Sequence, residues 1–277
     1  MTLNEAFLKA RADLAAHGSD SAGLDAQLLL SKVTALSRTA LIVHDDKELS
    51  EAESASFEAL IKKRATGYPV AYLLGYKDFW GLRLKVTEDT LIPRPDTETV
   101  VEEALKEDFR SALDLGTGSG ALILALKSER PDGACCACDL SEKALEVAKE
   151  NAQTLGLEVG FYKSSWFACP ELAARRFDLI VSNPPYIEAR DPHLRETSLP
   201  FEPRQALVSG EDGLDDLRAI TAAAPAHLNP GGRLLTEHGF DQGERVRALF
   251  EMAGFSEVKT VRDLGGNERV TCGRKPR

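Results

Sequence analysis

The chain has 277 residues, of which 43% are hydrophobic and 28% charged, and its formal net charge is −10. This composition is that of a globular enzyme, and no apolar run approaches the roughly 18 residues that a membrane-spanning helix needs. The acidic balance argues against binding nucleic acid through its phosphates, which would call for a basic surplus or stripe. The longest basic run, residues 62–64, is expected to be a solvated helix end, where cations suit the helix dipole.

Export and disulfide bonding are also disfavoured. The first ten residues lack the apolar core of a signal peptide, and the chain has five cysteines, an odd number for a disulfide framework. Cys135, Cys136 and Cys138 lie in an apolar segment typical of a strand, without a further Cys or His pair at zinc spacing. We therefore predict a cytoplasmic protein in which these cysteines are small core residues rather than metal ligands.

The first part of the chain, residues 1–72, is predicted to be a helical domain. Apolar residues recur at helical spacing over residues 3–14 and again over residues 24–36. A third helix is expected to begin at Ser50, because Glu53 follows three residues later and completes a capping-box signature. No cluster of potentially catalytic side chains lies in this part of the sequence.

Residues 73–92 are predicted to form a β-hairpin that links the helical domain to the rest of the chain. Apolar and polar residues alternate over residues 80–86, which is typical of a half-buried strand. Asp89 and Thr90 are predicted to form the turn, and residues 91–92 the beginning of the returning strand.

The remaining residues, 93–277, are predicted to form an α/β domain. Short apolar strands alternate here with helices of about 12–15 residues, which favours a largely parallel sheet with helices on both faces. The predicted strands are residues 112–115, 133–138, 159–162, 177–181 and 232–236, and two of the predicted helices are residues 141–155 and 244–253. Ligands of such sheets bind beyond the carboxyl ends of the strands, where the motifs below are found.

A glycine-rich segment follows the first of these strands, in the order Asp114, Leu115, Gly116, Thr117, Gly118, Ser119, Gly120. Glycines let a backbone pass close to a ligand, and the start of the following helix offers free N–H donors. Asp139 ends the next strand, at a spacing suited to a carboxylate that binds ribose hydroxyls, although it could instead cap the helix after it. Trp166 and Phe167 follow the third strand and could either stack on an adenine ring or pack in the core. Together these features predict a nucleoside cofactor and leave its identity open.

Asn183, Pro184, Pro185 and Tyr186 directly follow the fourth strand and indicate the chemistry. Two successive prolines make a stiff turn with carbonyls free to accept, and the Asn183 side chain adds a neutral acceptor. These acceptors can hold both N–H bonds of an amide or amine, while Tyr186 offers a flat face to a planar group. The motif favours methyl transfer from S-adenosylmethionine to a planar nitrogen, since a dehydrogenase has no use for it. It does not by itself choose between a nucleobase and a side-chain amide.

With these motifs, the chain resembles the release-factor glutamine methyltransferase family (PrmC, also called HemK) over essentially its full length. The resemblance is carried by Leu91-Ile92-Pro93-Arg94-Pro95-Asp96-Thr97-Glu98, the glycine-rich segment, Asp139, Trp166-Phe167, residues 183–186, Phe201-Glu202-Pro203, Glu237-His238-Gly239 with Gln242, and Asn267-Glu268-Arg269-Val270. The glycine-rich segment is shared by many methyltransferases, whereas residues 91–98 together with residues 183–186 are far more specific.

The resemblance implies a Rossmann-like methyltransferase domain with a seven-stranded, mostly parallel sheet, joined through the β-hairpin to an N-terminal helical domain that recognises the substrate protein. It implies methylation of the side-chain amide of the glutamine in the Gly-Gly-Gln motif of class I peptide-chain release factors, with neither nucleic acid nor membrane as a partner. The implied S-adenosylmethionine site consists of Gly116, Thr117, Gly118, Ser119, Gly120, Asp139, Trp166 and Asn183. The implied grip on the glutamine amide consists of Asn183, Pro184, Pro185 and Tyr186.

Two details of the resemblance concern the cofactor. Residues 94–98 are expected to line its methionine end, although Pro95 and the acidic residues near it also suit the opening of a helix. Relatives often carry Asp directly before the Trp, and this chain has Ser165 there, so a carboxylate contact to the adenine amino group is missing.

Two rival functions are weighed against glutamine methylation. DNA amino-methyltransferases also hold an exocyclic amine with Asn-Pro-Pro-Tyr, but residues 1–72 carry 8 Lys and Arg against 10 Asp and Glu, a net charge of −2, and no long insertion could read DNA. A nicotinamide-binding or non-catalytic protein of similar fold would not need residues 183–186. The five histidines are scattered and are expected to have surface or packing roles.

Overall fold

The computed structural model describes residues 1–196 and 198–277. They divide into two compact units, one made of Met1–Tyr76 with Arg195–Phe201 and the other of Lys77–Leu194 with Glu202–Arg277. The first unit is helical, and the second contains a seven-stranded sheet with helices. None of the described helices combines the length and the apolar character that a membrane crossing requires.

The first unit contains the predicted helices and two shorter ones. They are α1 (Leu3–Ala16), α2 (Ala22–Thr34), α3 (Arg38–Val43), α4 (Glu51–Ala65) and α5 (Val70–Leu74). The predicted capping box at the start of α4 is confirmed, because the Ser50 hydroxyl accepts from the Glu53 N–H at 3.2 Å and the Glu53 carboxylate accepts from the Ser50 N–H at 2.8 Å. Leu3, Leu14 and Leu29 lie fully buried in the core of this unit.

The basic run at the end of α4 is only partly solvated, and the prediction for it was wrong at Arg64. Lys62 and Lys63 are exposed, but the Arg64 Nε lies 2.7 Å from the Asp25 Oδ2, with the two side chains 17% and 2% exposed. The carboxylate of Asp25 is buried at the start of α2 and needs a cation, which the sequence pattern of α4 alone does not reveal.

A two-stranded hairpin is present, as predicted, but its turn lies elsewhere. Its strands are β1 (Tyr76–Phe79) and β2 (Leu82–Lys85), and the connection is Trp80-Gly81. Both connecting residues have positive φ, 50° and 71°, as a two-residue hairpin turn of type I′ requires. Asp89 and Thr90 instead belong to a separate turn, closed by a Thr90 N–H to Thr87 carbonyl bond of 3.0 Å, and residues 91–92 are not a strand.

Distant side chains explain why a tryptophan occupies this turn. The Trp80 backbone N–H donates to the Glu98 Oε1 and its indole Nε1 donates to the Glu129 Oε1, both at 2.8 Å. These two contacts hold a bulky residue in a backbone conformation that it rarely adopts. Because both partners come from later helices, hydropathy alternation within residues 80–86 could not locate the turn.

The second unit is a doubly wound α/β domain. Its elements are α6 (Glu98–Leu105), β3 (Ser111–Leu115), α7 (Ala121–Glu129), β4 (Ala134–Asp139), α8 (Glu142–Leu155), β5 (Gly160–Lys163), α9 (Pro170–Ala173), β6 (Phe177–Ser182), α10 (Asp215–His227), β7 (Leu228–Glu237), α11 (Gly243–Met252), β8 (Ser256–Arg262) and β9 (Glu268–Arg274). The strand order is β5-β4-β3-β6-β7-β9-β8, with β9 antiparallel to both of its neighbours. This confirms the predicted parallel strands and the seven-stranded sheet that the resemblance implied.

The strand order places a switch point at the carboxyl end of β3. The chain crosses from β3 to β4 on one side, whereas β6 lies on the other side, and such a crevice is where ligands bind in open α/β sheets. Leu115 at the end of β3 pairs in register with Cys138 of β4 and Ser182 of β6. The segments that follow these three strands therefore begin at one level of the sheet.

The five cysteines are buried and have free thiols. This confirms the prediction that the β4 cysteines are small core residues: burial raises the pKa of the Cys135 thiol to about 11 and that of Cys138 beyond its ordinary range. Thiols with such raised pKa values are inert as nucleophiles at neutral pH.

Candidate functional site

The predicted site residues gather around two cavities at the carboxyl edge of the sheet. The larger cavity is lined by Gly116, Gly118, Asp139, Ser164, Ser165, Trp166, Asn183 and Pro185, together with residues 89–91 and residues near Pro203. The smaller cavity is lined by Thr97, Asp114, Gly116, Thr117, Gly118, Ser119 and Asn183, with apolar neighbours. Gly120, Pro184 and Tyr186 line neither of these two cavities. Four residues line both cavities and place them side by side: Leu91, Gly116, Gly118 and Asn183.

The glycine-rich segment has a backbone that only glycine adopts readily. Gly116, Gly118 and Gly120 have φ values of 71°, 56° and 87°. A Cβ on Gly116 would come within 3.2 Å of the Trp166 ring, and one on Gly120 within 2.9 Å of the Leu124 side chain. Conformation and close approach therefore both require glycine at these two positions.

The backbone donors of this segment are largely used inside the protein. The N–H groups of Gly116 and Thr117 donate to the Cys138 carbonyl at 2.9 and 3.0 Å. The Gly118 N–H donates to the Asp139 Oδ2 at 2.9 Å. These three donors are therefore already paired inside the protein, and what Gly116 and Gly118 offer a ligand is close approach of their backbone.

Asp139 is held by the loop and does not cap the next helix through its side chain. Its Oδ1 accepts from the Ser141 N–H at 2.8 Å, while the Ser141 hydroxyl accepts from the Ala144 N–H and is itself the cap of α8. Burial raises the pKa of the Asp139 carboxyl, and bonds from Ser141 and Gly118 oppose the shift. A carboxylate has about four acceptor positions, so two protein donors leave room for hydroxyl groups of a ligand.

Asn151 of α8 supports the same loop and was missed in the sequence. Its Nδ2 donates to the Ser119 carbonyl at 2.9 Å and the Lys85 carbonyl at 3.0 Å, and its Oδ1 accepts from the Lys85 N–H at 2.7 Å. A signal was available: Asn151 is a polar residue at the helical spacing of the buried positions Ala144 and Ala148.

The two aromatic residues after β5 have different surroundings. Trp166 is half-buried with φ of 51°, lines the larger cavity and lies against Gly116. Phe167 is buried and stacks on His227, with ring centroids 4.3 Å apart and planes 8° apart. Of the two residues that could have stacked on an adenine ring, the structure places Trp166 at the cavity and Phe167 in the core.

Asn183 and Tyr186 are held by side chains from other elements. The Asn183 Nδ2 donates to the Thr97 Oγ1 at 3.2 Å, while its Oδ1 is buried and has no hydrogen-bond partner in the described part of the chain. The Tyr186 hydroxyl donates to the Glu237 Oε1 at 3.1 Å, and the Tyr186 backbone carbonyl accepts from the Gln242 Nε2 at 2.9 Å. The motif therefore presents an unused amide oxygen beside a fixed tyrosine.

Glu237, at the end of β7, is the second residue without a role assigned from the sequence. Burial raises the pKa of its carboxyl to about 7, against the opposing effects of the Thr97 hydroxyl, Arg269 and the Tyr186 hydroxyl. Burial likewise raises the pKa of the Tyr186 phenol, so that it remains a donor to Glu237. Glu237 belongs to a segment that carries the resemblance, which was the available signal.

Asp114, at the start of the glycine-rich segment, is a comparable buried acid. Burial raises the pKa of its carboxyl to about 7, and the hydroxyl of Thr117 opposes the shift by donating to its Oδ2 at 2.6 Å. Each of the two motifs thus contains or contacts one carboxyl that changes protonation near neutral pH.

Residues 94–98 have mainly structural contacts, apart from Thr97. Pro95 is the first residue of the 3₁₀ turn Pro95–Thr97, which leads into α6. Arg94 forms an ion pair with the buried Glu202, whose other oxygen accepts from the Ile92 N–H at 3.0 Å. Of the five residues expected at a cofactor's methionine end, only Thr97 lines either cavity.

Two family models match the chain in sequence. One, described as the PrmC N-terminal domain, matches residues 5–75. The other, described as the methyltransferase small domain, matches residues 95–199. The two matches leave both hairpin strands, β1 and β2, between them.

Curated relatives match nearly the whole chain. A release factor glutamine methyltransferase of Xylella fastidiosa (strain Temecula1) is 50% identical over 258 residues, which cover 91% of this chain and 93% of the relative. Proteins described in the same words from Pseudomonas aeruginosa and Escherichia coli K12 are 50% and 45% identical, each over 92% of this chain and 93% of its own length.

Solved structures share the fold. A methyltransferase from Pyrococcus furiosus superimposes with a TM-score of 0.56 at 20% identity, covering 71% of this chain and 90% of its own. A Thermus thermophilus 16S rRNA N2 G1207 methyltransferase, in complex with AdoMet and guanosine, gives a TM-score of 0.52 at 20% identity over 72% of this chain and 49% of its own. At this identity the likeness shows the architecture alone.

Proposed function

The chain belongs to the release factor glutamine methyltransferase family, and we propose that it methylates the side-chain amide nitrogen of the glutamine in the Gly-Gly-Gln motif of class I peptide-chain release factors. The methyl donor is S-adenosylmethionine. The observation that carries the proposal is the buried and unpaired Asn183 Oδ1 at the cavity edge, because a buried acceptor without a partner is costly unless a ligand supplies the donor.

The larger cavity is the proposed site of S-adenosylmethionine. The Asp139 carboxylate retains acceptor capacity for ribose hydroxyls, and the half-buried Trp166 ring offers a face to an adenine. The residues proposed to hold the cofactor are Gly116, Thr117, Gly118, Ser119, Gly120, Asp139, Trp166 and Asn183. When bound, S-adenosylmethionine supplies an electrophilic methyl group on a positively charged sulfur.

Asn183, Pro184, Pro185 and Tyr186 are proposed to hold the glutamine amide. The lone pair of an amide nitrogen is delocalised, which makes it a poor nucleophile. The Asn183 Oδ1 and the Pro184 carbonyl accept its two N–H bonds, which fixes the nitrogen and helps to localise its lone pair toward the methyl group, while Tyr186 lies against the amide plane. Most of the rate gain then comes from positioning, and from a pocket that excludes water while charge on sulfur is lost.

The proposed domain organisation follows the family. Residues 1–72 would recognise the substrate protein, residues 73–92 would link the domains, and residues 93–277 would carry the chemistry. Since the proposed substrates act in translation termination, the proposed place of action is the cytoplasm, with neither nucleic acid nor membrane as a direct partner.

The test compares the proposed substrate with the main alternative. S-Adenosylmethionine carrying a labelled methyl group is offered with an unmodified release factor, or with duplex DNA, and the labelled atom is located by mass spectrometry. We expect the label on the glutamine of the Gly-Gly-Gln motif and none on DNA. Label on exocyclic base nitrogens, or a release factor that stays unlabelled, would refute the proposal.

A further inference from the structure

The two ends of the Asn183 amide are not equivalent for the proposed reaction. If its Oδ1 faces the substrate, it accepts a proton from the glutamine NH₂ group. If the Asn183 amide is rotated by half a turn, its Nδ2 faces the glutamine NH₂ group, and two hydrogen-bond donors then face each other without an acceptor. The two orientations of the Asn183 amide have the same shape. Binding of the glutamine amide therefore depends on a contact that favours the orientation with Oδ1 toward the substrate.

Thr97 provides that contact from the turn before α6. Its Oγ1 accepts from the Asn183 Nδ2 at 3.2 Å and the side chain is almost fully buried. A hydroxyl can also donate, however, and would then bind the amide oxygen equally well. Thr97 selects the orientation only if its own proton points elsewhere.

Glu237 can give the Thr97 proton a direction, because its Oε2 is buried and has no hydrogen-bond partner in the described part of the chain. Among the groups that favour the charged form of this carboxyl, the Thr97 hydroxyl acts most strongly, followed by Arg269 and the Tyr186 hydroxyl. When Glu237 is charged, the Thr97 proton turns toward it, and Thr97 has only lone pairs left for Asn183. The same carboxyl accepts from the Tyr186 hydroxyl at 3.1 Å, so one buried group is connected to both polar ends of the substrate grip.

We propose that Thr97 and Glu237 are positioning residues for methyl transfer. In its charged form Glu237 orients the hydroxyl groups of Thr97 and Tyr186, and Thr97 in turn holds the Asn183 amide with its oxygen toward the acceptor nitrogen. The inference rests on the proposed function, since it names residues that act through the grip rather than on the substrate itself.

The first test uses two substitutions at Thr97 that differ in the hydroxyl. Thr97→Val keeps the shape and removes the hydroxyl, whereas Thr97→Ser keeps the hydroxyl. For Thr97→Val we expect kcat on the release factor to fall about 10- to 100-fold, the effect of losing one buried hydrogen bond, while Thr97→Ser stays within about threefold of the wild type. The Kd for S-adenosylmethionine, measured by calorimetry, is expected to change by less than about threefold in both.

The second test couples the two residues. The amide of a glutamine at position 237 can donate to Thr97, which turns the Thr97 proton toward Asn183 and favours the wrong amide orientation. Glu237→Gln is therefore expected to lower kcat about tenfold, while Thr97→Val with Glu237→Gln loses little more than Thr97→Val alone, because contacting groups are not additive. Thermal melting of each variant shows that it is folded.

The outcomes separate this inference from the proposed function. A wild-type enzyme that does not label the release-factor glutamine refutes the proposed function itself. If the wild type does label it, a Thr97→Val enzyme with wild-type kcat overturns the inference alone. Equal losses in folded Thr97→Ser and Thr97→Val, or fully additive losses in the double variant, overturn it as well.

Discussion

The glycine-rich segment and the Asn-Pro-Pro-Tyr segment follow neighbouring strands, β3 and β6, but are held in different ways. Gly116 and Gly120 take their shape from their own backbone freedom, with positive φ and close neighbours that exclude a Cβ. Asn183 and Tyr186 depend on side chains from far along the chain: Thr97 lies 86 residues from Asn183, and Glu237 lies 51 residues from Tyr186.

This difference predicts which substitutions disrupt each of the two segments. A segment shaped by its own backbone fails when a side chain is added to it. A segment held by distant partners can keep its own sequence and still lose its geometry when a partner changes. The comparison predicts that substitutions at the loop weaken cofactor binding, whereas substitutions around residues 183–186 slow the chemical step.

The largest effect is expected at Asn183. Asn183→Ala should lower kcat on the order of 10²–10³-fold, by analogy with the loss of one fixed hydrogen-bonding group, and leave S-adenosylmethionine binding mostly intact. Single-turnover kinetics with a release factor and calorimetry with the cofactor measure the two quantities. Gln153→Ala, at an exposed amide on α8, is the control and should match the wild type. A collapse of cofactor affinity with the chemical step preserved would contradict the role given to Asn183.

The loop is tested by a pair of glycines that share a left-handed conformation. Gly120 has φ of 87° with the Leu124 side chain 2.9 Å from a built Cβ, whereas Gly156, at the end of α8, has φ of 66° and open space. Gly156→Ala should cost about 1–2 kcal/mol of stability from conformation alone. Gly120→Ala should cost about 1–3 kcal/mol more from overpacking.

Cofactor affinity distinguishes the two glycine variants further. Only Gly120→Ala displaces the segment at the cavity, so only it should raise the Kd for S-adenosylmethionine, as calorimetry at a temperature where both variants are folded would measure. Equal affinities in the two variants would mean that the backbone of this segment is not what holds the cofactor.

Glu237 makes the stability of the protein depend on pH. Its carboxyl keeps a proton up to about pH 7 in the folded protein, against a usual pKa of 4.5. Between these values the folded state binds more protons than the unfolded state, so the free energy of unfolding falls as the pH rises through this window. Across this window the carboxyl of Glu237 alone lowers the free energy of unfolding by about 3 kcal/mol. The charged or titrating groups that act on it are Arg269, Tyr186 and Asp96.

Urea unfolding at pH 5 and pH 8 measures this dependence. Glu237→Gln should remove the contribution of this carboxyl, whereas Glu171→Gln, an exposed control, should not. The decrease in the free energy of unfolding that remains in Glu237→Gln is due in part to Asp114, whose carboxyl pKa is also raised to about 7. An unchanged difference between the two pH values in Glu237→Gln would show that this carboxyl is ionised throughout.

The smallest effect is expected from restoring a carboxylate at Ser165. This exposed residue lines the larger cavity beside Trp166. Ser165→Asp should lower the Kd for S-adenosylmethionine about 2- to 10-fold if the new oxygen accepts from the adenine amino group. Ser165→Ala is the matched control and should show no gain. Weaker binding in Ser165→Asp would argue that the adenine lies elsewhere.

Several features followed from the sequence by itself because their causes are local. The alternation of apolar strands with helices predicted the parallel strands β3 to β7, and Ser50 with Glu53 predicted the start of α4. The glycine spacing predicted a loop at the end of β3, and the full-length resemblance assigned the family. Each of these depends on residues within a few positions of one another, or on a pattern repeated along the chain.

Other features were decided only by the tertiary structure. The hairpin turns at Trp80-Gly81 because Glu98 and Glu129 bind the tryptophan, and Arg64 is withdrawn from solvent because Asp25 is buried. The sequence could identify Asn183 as an acceptor, but not the direction in which its amide points. A side-chain amide has two ends of equal shape, and it is the tertiary structure that pairs its Nδ2 with the hydroxyl of Thr97, 86 residues away.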